Sequence, residues 1–121
     1  MAKILVVDDE HMTSEMLSTF LRLLGHEAIE AYNGKQALEK LAYTEPTAIL
    51  LDIMLPDVNG IDLCRQLRAD PATAHLPIII ISAHAPPMIQ QAEEAGANGY
   101  LAKPISLQSL KTALLNAGVT S

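Results

Sequence analysis

Read only for hydrophobic and polar positions, the chain alternates two textures. Short runs of β-branched or aliphatic residues recur as KILVVD (3–8), HEAIEAY (26–32), TAILLD (47–52), PIIIIS (77–82) and GYLAK (99–103). Three of them are apolar almost throughout, the pattern of strands covered on both faces of a parallel sheet. Between the runs, apolar positions take helical spacing. Met12, Met16, Leu17, Phe20, Leu21 and Leu24 form one stripe, stopped by Gly25. Ala37, Leu38, Leu41 and Ala42 form a second after Asn33-Gly34. Asn59-Gly60 opens a third through Ile61, Leu63, Cys64 and Leu67, ahead of Asp70-Pro71. A fourth runs from Pro86-Pro87 to Gly96, proline being tolerated in a first helical turn. The fifth follows Ser106, a good N-cap, through Leu107, Leu110, Leu114 and Leu115.

The order is strand then helix, five times. Such alternation predicts an α/β fold, a parallel sheet with helices on both faces, and right-handed crossovers make it doubly wound: a (βα)5 three-layer sandwich. Ligands of such sheets bind beyond the carboxyl ends of the strands. The residues there are therefore the ones to inspect. The first strand ends in Asp8-Asp9, the third in Asp52, the fourth in Ser82 and the fifth in Lys103, while the second ends in Tyr32-Asn33. Three carboxylates and one ammonium group meet at one edge.

Carboxylates gathered in one cleft repel one another and stay ionised most easily around a cation. The donors are hard oxygens, with no Cys or His at these strand ends, so Mg²⁺ is the natural ion and Mn²⁺ a substitute. An acidic pocket with Mg²⁺, a lysine and a serine hydroxyl is equipment for handling a phosphoryl group, and a carboxylate can itself be the nucleophile. An Asp8–Asp9 pair that merely capped a helix would need only one carboxylate. Asp57 or Asn59 serves the PDVNG turn more naturally than Asp52 does. Tyr100 reads equally as an ordinary half-buried strand tyrosine.

Composition narrows the picture. The chain has 121 residues, half of them apolar and 18% charged, which suits one compact domain. No apolar run is long enough to span a membrane and the start lacks a signal-peptide pattern. A single cysteine, Cys64, precludes an internal disulfide and reads as a small core residue; a reducing, cytoplasmic setting is the expectation. The net charge of −6 argues against direct nucleic acid binding. His11, His26, His75 and His84 are scattered, which disfavours a zinc site.

The acidic pair in VVDDE, the Asp of LLDIMLPDVNG, the Ser-Ala of IISAH and the Lys-Pro of YLAKP occur in order at successive strand ends. In this the chain resembles the receiver domain of two-component response regulators, over essentially its whole length, residues 1–121. The resemblance implies the flavodoxin-like strand order 2-1-3-4-5 and a role in phosphorelay signalling. It implies that Asp52 is the phospho-acceptor and that Asp8, Asp9, Asp52 and the backbone carbonyl of Met54 hold Mg²⁺, Asp9 more directly than Asp8. Ser82, the amide of Ala83 and Lys103 would contact the phosphoryl group, and Lys103-Pro104 would be cis. Ser82 and Tyr100 would act as the switch pair, reshaping the face made by the fourth helix, fifth strand and fifth helix. Met54 and His84, each two residues past a site residue, would border the path of the attacking water and set the phosphate's lifetime.

The same resemblance implies a sensor histidine kinase or histidine phosphotransfer protein as donor, docking near His11, Met12, Ser14, Glu15 and Leu107. Its own chemistry would be limited to Mg²⁺-dependent self-phosphorylation and slow autodephosphorylation. A haloacid-dehalogenase-type phosphatase is the enzymatic rival, but it needs a second Asp two residues after the nucleophile, where this chain has Met54. No G-x-x-x-x-G-K-[ST] or G-x-G-x-x-G follows a strand, which leaves a nucleotide-binding module unsupported. Asn98 and a helix-five cation reduced to Lys111 speak against a charge-bridged dimer, so a monomer or a weak phosphorylation-dependent dimer is expected. No effector domain is recognised within 1–121; a stand-alone regulator and the front of a longer protein both fit.

Overall fold

The computed structural model describes residues 2–119. Elements follow the predicted order: β1 Lys3–Val7, α1 His11–Leu23, β2 Glu27–Ala31, α2 Gly34–Thr44, β3 Ala48–Asp52, α3 Gly60–Ala69, β4 Ile78–Ser82, α4 Ile89–Glu94, β5 Gly99–Ala102 and α5 Leu107–Asn116. All strand pairings are parallel, in the order β2-β1-β3-β4-β5. The sheet separates two apolar layers. Leu5, Val7, Ile49, Leu51, Ile78 and Ile80 face one, with Leu63, Cys64 and Leu67 of α3. Ile4, Val6, Leu50, Ile79 and Ile81 face the other, with Leu17 and Leu21 of α1 and Leu110 and Leu114 of α5. Consecutive strand residues point to opposite faces, and both faces are covered, so the central strands had to be apolar without interruption. No helix among the described residues is long and apolar enough to cross a membrane.

Two expectations need correction. The buried line of α1 is Ser14, Leu17, Ser18 and Leu21, not one starting at Met12, which is 84% exposed. Met12 lies in the first turn, above the edge of the sheet where no core exists. This also removes Ser14 from any docking surface. The fourth helix does not begin at Pro86-Pro87: α4 covers only Ile89–Glu94, and Met88 at its start supplies no side-chain cap. A residue that precedes proline is steered out of the helical region, so consecutive prolines keep 85–86, which form a bend, out of the helix. As expected, the third strand closes on Asp52, which is covered along with it. It is the last residue of β3, 3% exposed and in register with Ile81, and the following Ile53 is buried too. Leu38 and Leu115, at the margins of their stripes, are largely exposed. Thr120 and Ser121 lie outside the described residues.

Candidate functional site

The carboxyl ends of β1, β3, β4 and β5 bring most of the predicted residues together. Asp8 follows β1 directly. Its amide donates to the Ala31 carbonyl at 3.1 Å, and its Oδ1 accepts from the Glu10 amide at 2.9 Å. This folds Asp8–Asp9–Glu10 into a tight turn before α1. Asp8, Asp9 and Asp52 each present a carboxylate oxygen within 4.8 Å of the others, Asp8 and Asp52 buried and Asp9 exposed.

Lys103, just past β5, reaches over this cluster. Its Nζ lies 2.7 Å from Asp8 Oδ2, 3.2 Å from Asp52 Oδ2 and 3.3 Å from Glu10 Oε1. Burial works against the charged ammonium, but the contact with Asp8 and the charge of Asp52 outweigh it, and the Lys103 pKa is pushed up to about 12. Asp52 moves the other way from its preferred ionisation. Burial, then the neighbouring Asp8 charge, raise its pKa; Lys103 and the Met54 amide, 3.3 Å from Oδ1, only partly offset them. One cation for three clustered carboxylates leaves a surplus of negative charge.

The donor set fits a hard divalent cation. Asp8 Oδ2 is buried, and the ammonium it meets, Lys103 Nζ, is shared with Asp52 and Glu10. Clustered carboxylate oxygens that share one ammonium keep unmet acceptor capacity and mutual repulsion, which a further cation would relieve. The oxygens are all carboxylate, which suits Mg²⁺ or Mn²⁺ better than a softer metal.

Ser82, the last residue of β4, is buried, and its Oγ accepts from the His84 amide at 2.9 Å. The Lys103 amide donates to the Ser82 carbonyl at 2.8 Å, which fixes the ends of β4 and β5 side by side. Ala83 and Lys103 line one shallow groove with Glu10 and Met16. The His84 ring turns back on its own loop, Nδ1 donating to the Pro86 carbonyl at 2.8 Å. Tyr100 is half-buried on β5, and its hydroxyl accepts from the Met88 amide at 3.0 Å. Lys103-Pro104 is cis, as is Ala85-Pro86. A groove lined by Leu38, Leu41, Pro46 and Leu76 shares no residue with the acidic cleft.

Residues outside the strand ends turn out to build the site. Ile53's carbonyl accepts from the amides of Leu55 and Gly60, at 3.2 and 2.7 Å, curling the chain beneath Asp52. A Cβ on Gly60 would collide with the Asp52 carbonyl group, so only glycine permits this approach. Asn59 does cap its own helix, accepting from Ile61 at 2.8 Å. Asp57 does not serve that turn. It accepts from the amides of Gly34 and Lys35, at 2.8 and 3.0 Å, and so caps α2. Those two bonds hold its carboxyl below the usual range. Glu10 was missed as the third partner of Lys103; the only sequence signal was its place after the acidic pair. Asn98 is exposed, with its Oδ1 accepting from Arg68 and from the Ile78 amide, both at 2.8 Å.

Comparison with known proteins agrees with this geometry. The family model for the response regulator receiver domain matches residues 4–115. The phosphate regulon transcriptional regulatory protein PhoB of Pseudomonas aeruginosa is 41% identical over 108 residues, covering 88% of this chain and 47% of PhoB. The DNA-binding response regulator MtrA of Mycobacterium tuberculosis is 39% identical over 109 residues, 89% of this chain and 46% of MtrA. The chain thus spans about half the length of the curated relatives it matches. Among solved structures, the chemotaxis protein CheY4 of Vibrio cholerae superposes with a TM-score of 0.88 at 29% identity, covering 97% of this chain and 98% of that one.

Proposed function

Because the chain belongs to the response regulator receiver domain family, we propose that Asp52 accepts the phosphoryl group and that Asp8, Asp9 and the Met54 carbonyl join it in holding Mg²⁺. Receiver domains are signalling domains, so the chain serves phosphorelay signal transduction, and its chemistry is a switch rather than metabolic turnover. The observation that carries the residue assignment is Lys103 Nζ in contact with both Asp8 and Asp52, beside Asp9. Bound Mg²⁺ would offset the charge of the cluster and of the incoming phosphoryl oxygens.

The chain's own residues do the rest. Asp52, freed from part of its pairing with Lys103, is the nucleophile. Lys103 is kept charged and can follow the added oxygens. Ser82 can exchange the His84 amide for the phosphoryl group, which the Ala83 amide also borders. Movement of Ser82 frees the start of the β4–α4 loop, and Tyr100 holds that loop's other end through Met88. The two ties make the α4–β5–α5 face the natural readout. A phosphatase reading lacks its acid/base, since Met54 stands at that position.

The donor is a sensor histidine kinase or a histidine phosphotransfer protein, and the setting is cytoplasmic. Residues 1–121 act as one receiver domain whose output partner is unassigned. Asn98 is neutral and its Oδ1 is bonded within the chain to Arg68 and the Ile78 amide, which supports a monomer or a weak phosphorylation-dependent dimer over a charge-bridged one. Incubation with Mg²⁺ and acetyl phosphate, read by intact mass, tests the assignment. One added phosphate is expected, lost in Asp52→Asn; an unmodified mass under metal-saturating conditions refutes it. Met54 and His84 then govern lifetime. Met54→Ala and His84→Ala should each change the dephosphorylation rate, and three equal rates would sink that role.

A further inference from the structure

The flank of the acidic turn nearest β2 carries contacts that no step above uses. His11, the first residue of α1, lies flat against Tyr32, with ring centroids 4.1 Å apart and planes 9° from parallel. Tyr32 is itself fixed from several directions. Its hydroxyl donates to Glu30 Oε2 at 2.6 Å, and its amide donates to Gln36 Oε1 at 2.9 Å. The other Glu30 oxygen accepts from the buried Ser18 hydroxyl of α1 at 3.0 Å. The bond from Tyr32, against the opposing effect of burial, and then the bond from Ser18 hold Glu30 below the usual carboxylate range. The same bond pushes the Tyr32 phenol up. A charged acceptor makes these bonds short and strong.

Only Asp9 and Glu10 separate Asp8 from His11. The Asp8 amide is tied to Ala31, and His11 is stacked on the very next residue, Tyr32. Consecutive residues at the end of β2 therefore grip both ends of the acidic turn. Asp9 is exposed, so its place in the cluster is set by the turn that carries it.

We propose that the stacked His11–Tyr32 pair, anchored through Glu30, is a positioning pair that holds Asp9 at the cation-binding end of the cleft. The inference rests on the reading of Asp8, Asp9 and Asp52 as the Mg²⁺ site. Neither ring touches the cation; each acts through the backbone of the turn, much as outer partners orient metal ligands elsewhere.

The test is a MgCl₂ titration of the metal-free protein followed by amide NMR, with thermal unfolding in EDTA as a separate readout. Wild type binds Mg²⁺. Tyr32→Ala and His11→Ala are expected to weaken binding by about threefold to tenfold, while His11→Phe, which keeps a stacked ring, stays within about twofold, and Tyr32→Phe, which keeps the ring but loses the Glu30 anchor, falls between. The double variant should be no weaker than either single one, because each removes the same contact. Glu30→Gln, which preserves both rings and most of the packing, should fall between and serves if an alanine variant does not fold. Alanine variants that fold and bind Mg²⁺ as wild type does overturn the inference alone. Wild type that binds no Mg²⁺ overturns both the inference and the metal site.

Discussion

Asp8 and Asp52 stand at the ends of the neighbouring strands β1 and β3, and the chain around them is bonded from several directions. Asp8 is held by Ala31 and Glu10. The loop after Asp52 is curled by two bonds to the Ile53 carbonyl, pressed against the backbone through Gly60, and clipped to α2 by both oxygens of Asp57. Across the cleft, the segment from Ala83 to Met88 is held quite differently. Ser82 ties one end through one amide and Tyr100 ties the other through one amide. The helix that follows has six residues and no side-chain cap. The residues from 83 to 87 are exposed. The difference separates two tasks. The side that receives the phosphoryl group must keep its oxygens in place, whereas the side that reports it must be able to leave.

The largest expected effect lies on the fixed side. Gly60→Ala should destabilise the protein by about 3 kcal/mol or more, because the new methyl meets backbone that cannot rotate away. Gly34→Ala, whose methyl meets mainly the Val58 side chain, is the control and should cost about 1 kcal/mol. Urea unfolding of both reads the ratio. Equal costs would mean that the loop beneath Asp52 gives as readily as a side chain, and the contrast between the two sides would lose its basis.

Asp52 supplies the next effect, and its sign is informative. Burial and the Asp8 charge raise its pKa, so the folded chain binds that proton more tightly than the unfolded one. In metal-free protein the resulting stability is present below the ordinary carboxylate range and is lost as pH rises through the raised value. Asp52→Asn should therefore raise the Tm in EDTA by a few degrees near neutral pH. The gain should shrink as pH falls through the raised pKa of Asp52, where the wild type regains its proton. Added Mg²⁺ should stabilise wild type and not the variant. A lower Tm for Asp52→Asn at neutral pH would mean that pairing with Lys103 outweighs the repulsion, and that the fixed side is relaxed without a cation.

Much of this was legible in the sequence, for a physical reason. A strand covered on both faces must be apolar throughout, so the central strands announced themselves, and a fold that binds at strand ends turned five positions into candidates. Asp8, Asp9, Asp52, Ser82 and Lys103 followed from that alone. The failures share a cause as well. Asp57 looked like a local turn residue because its partners, Gly34 and Lys35, lie more than 20 positions away. Met12 entered the first stripe on spacing, which says nothing of where along its length a helix outruns the sheet. Ser14 and Ser18 are polar by type but buried by position, and a hydrophobic pattern passes over them. The fourth helix was overextended because a proline can open a helix, whereas a residue that precedes a proline is biased away from one.

Tyr100 gives the smallest effect and the sharpest reading of the reporting side. Tyr100→Phe removes one hydrogen bond, from the Met88 amide, and leaves the ring. A bond at a partly exposed site contributes about 0.5–1 kcal/mol at most, since water can replace the lost acceptor. The expected Tm change is correspondingly slight. Local exchange should respond more: the Met88 amide and the first amides of α4 should exchange several-fold faster, while those of the loop after Asp52 stay as they were. That pattern follows only if the Ala83–Met88 segment opens independently of the fixed side. Faster exchange spreading to the Gly60 amide would show that the two sides open as one unit, and that Tyr100 steadies the whole cleft rather than one end of a loop.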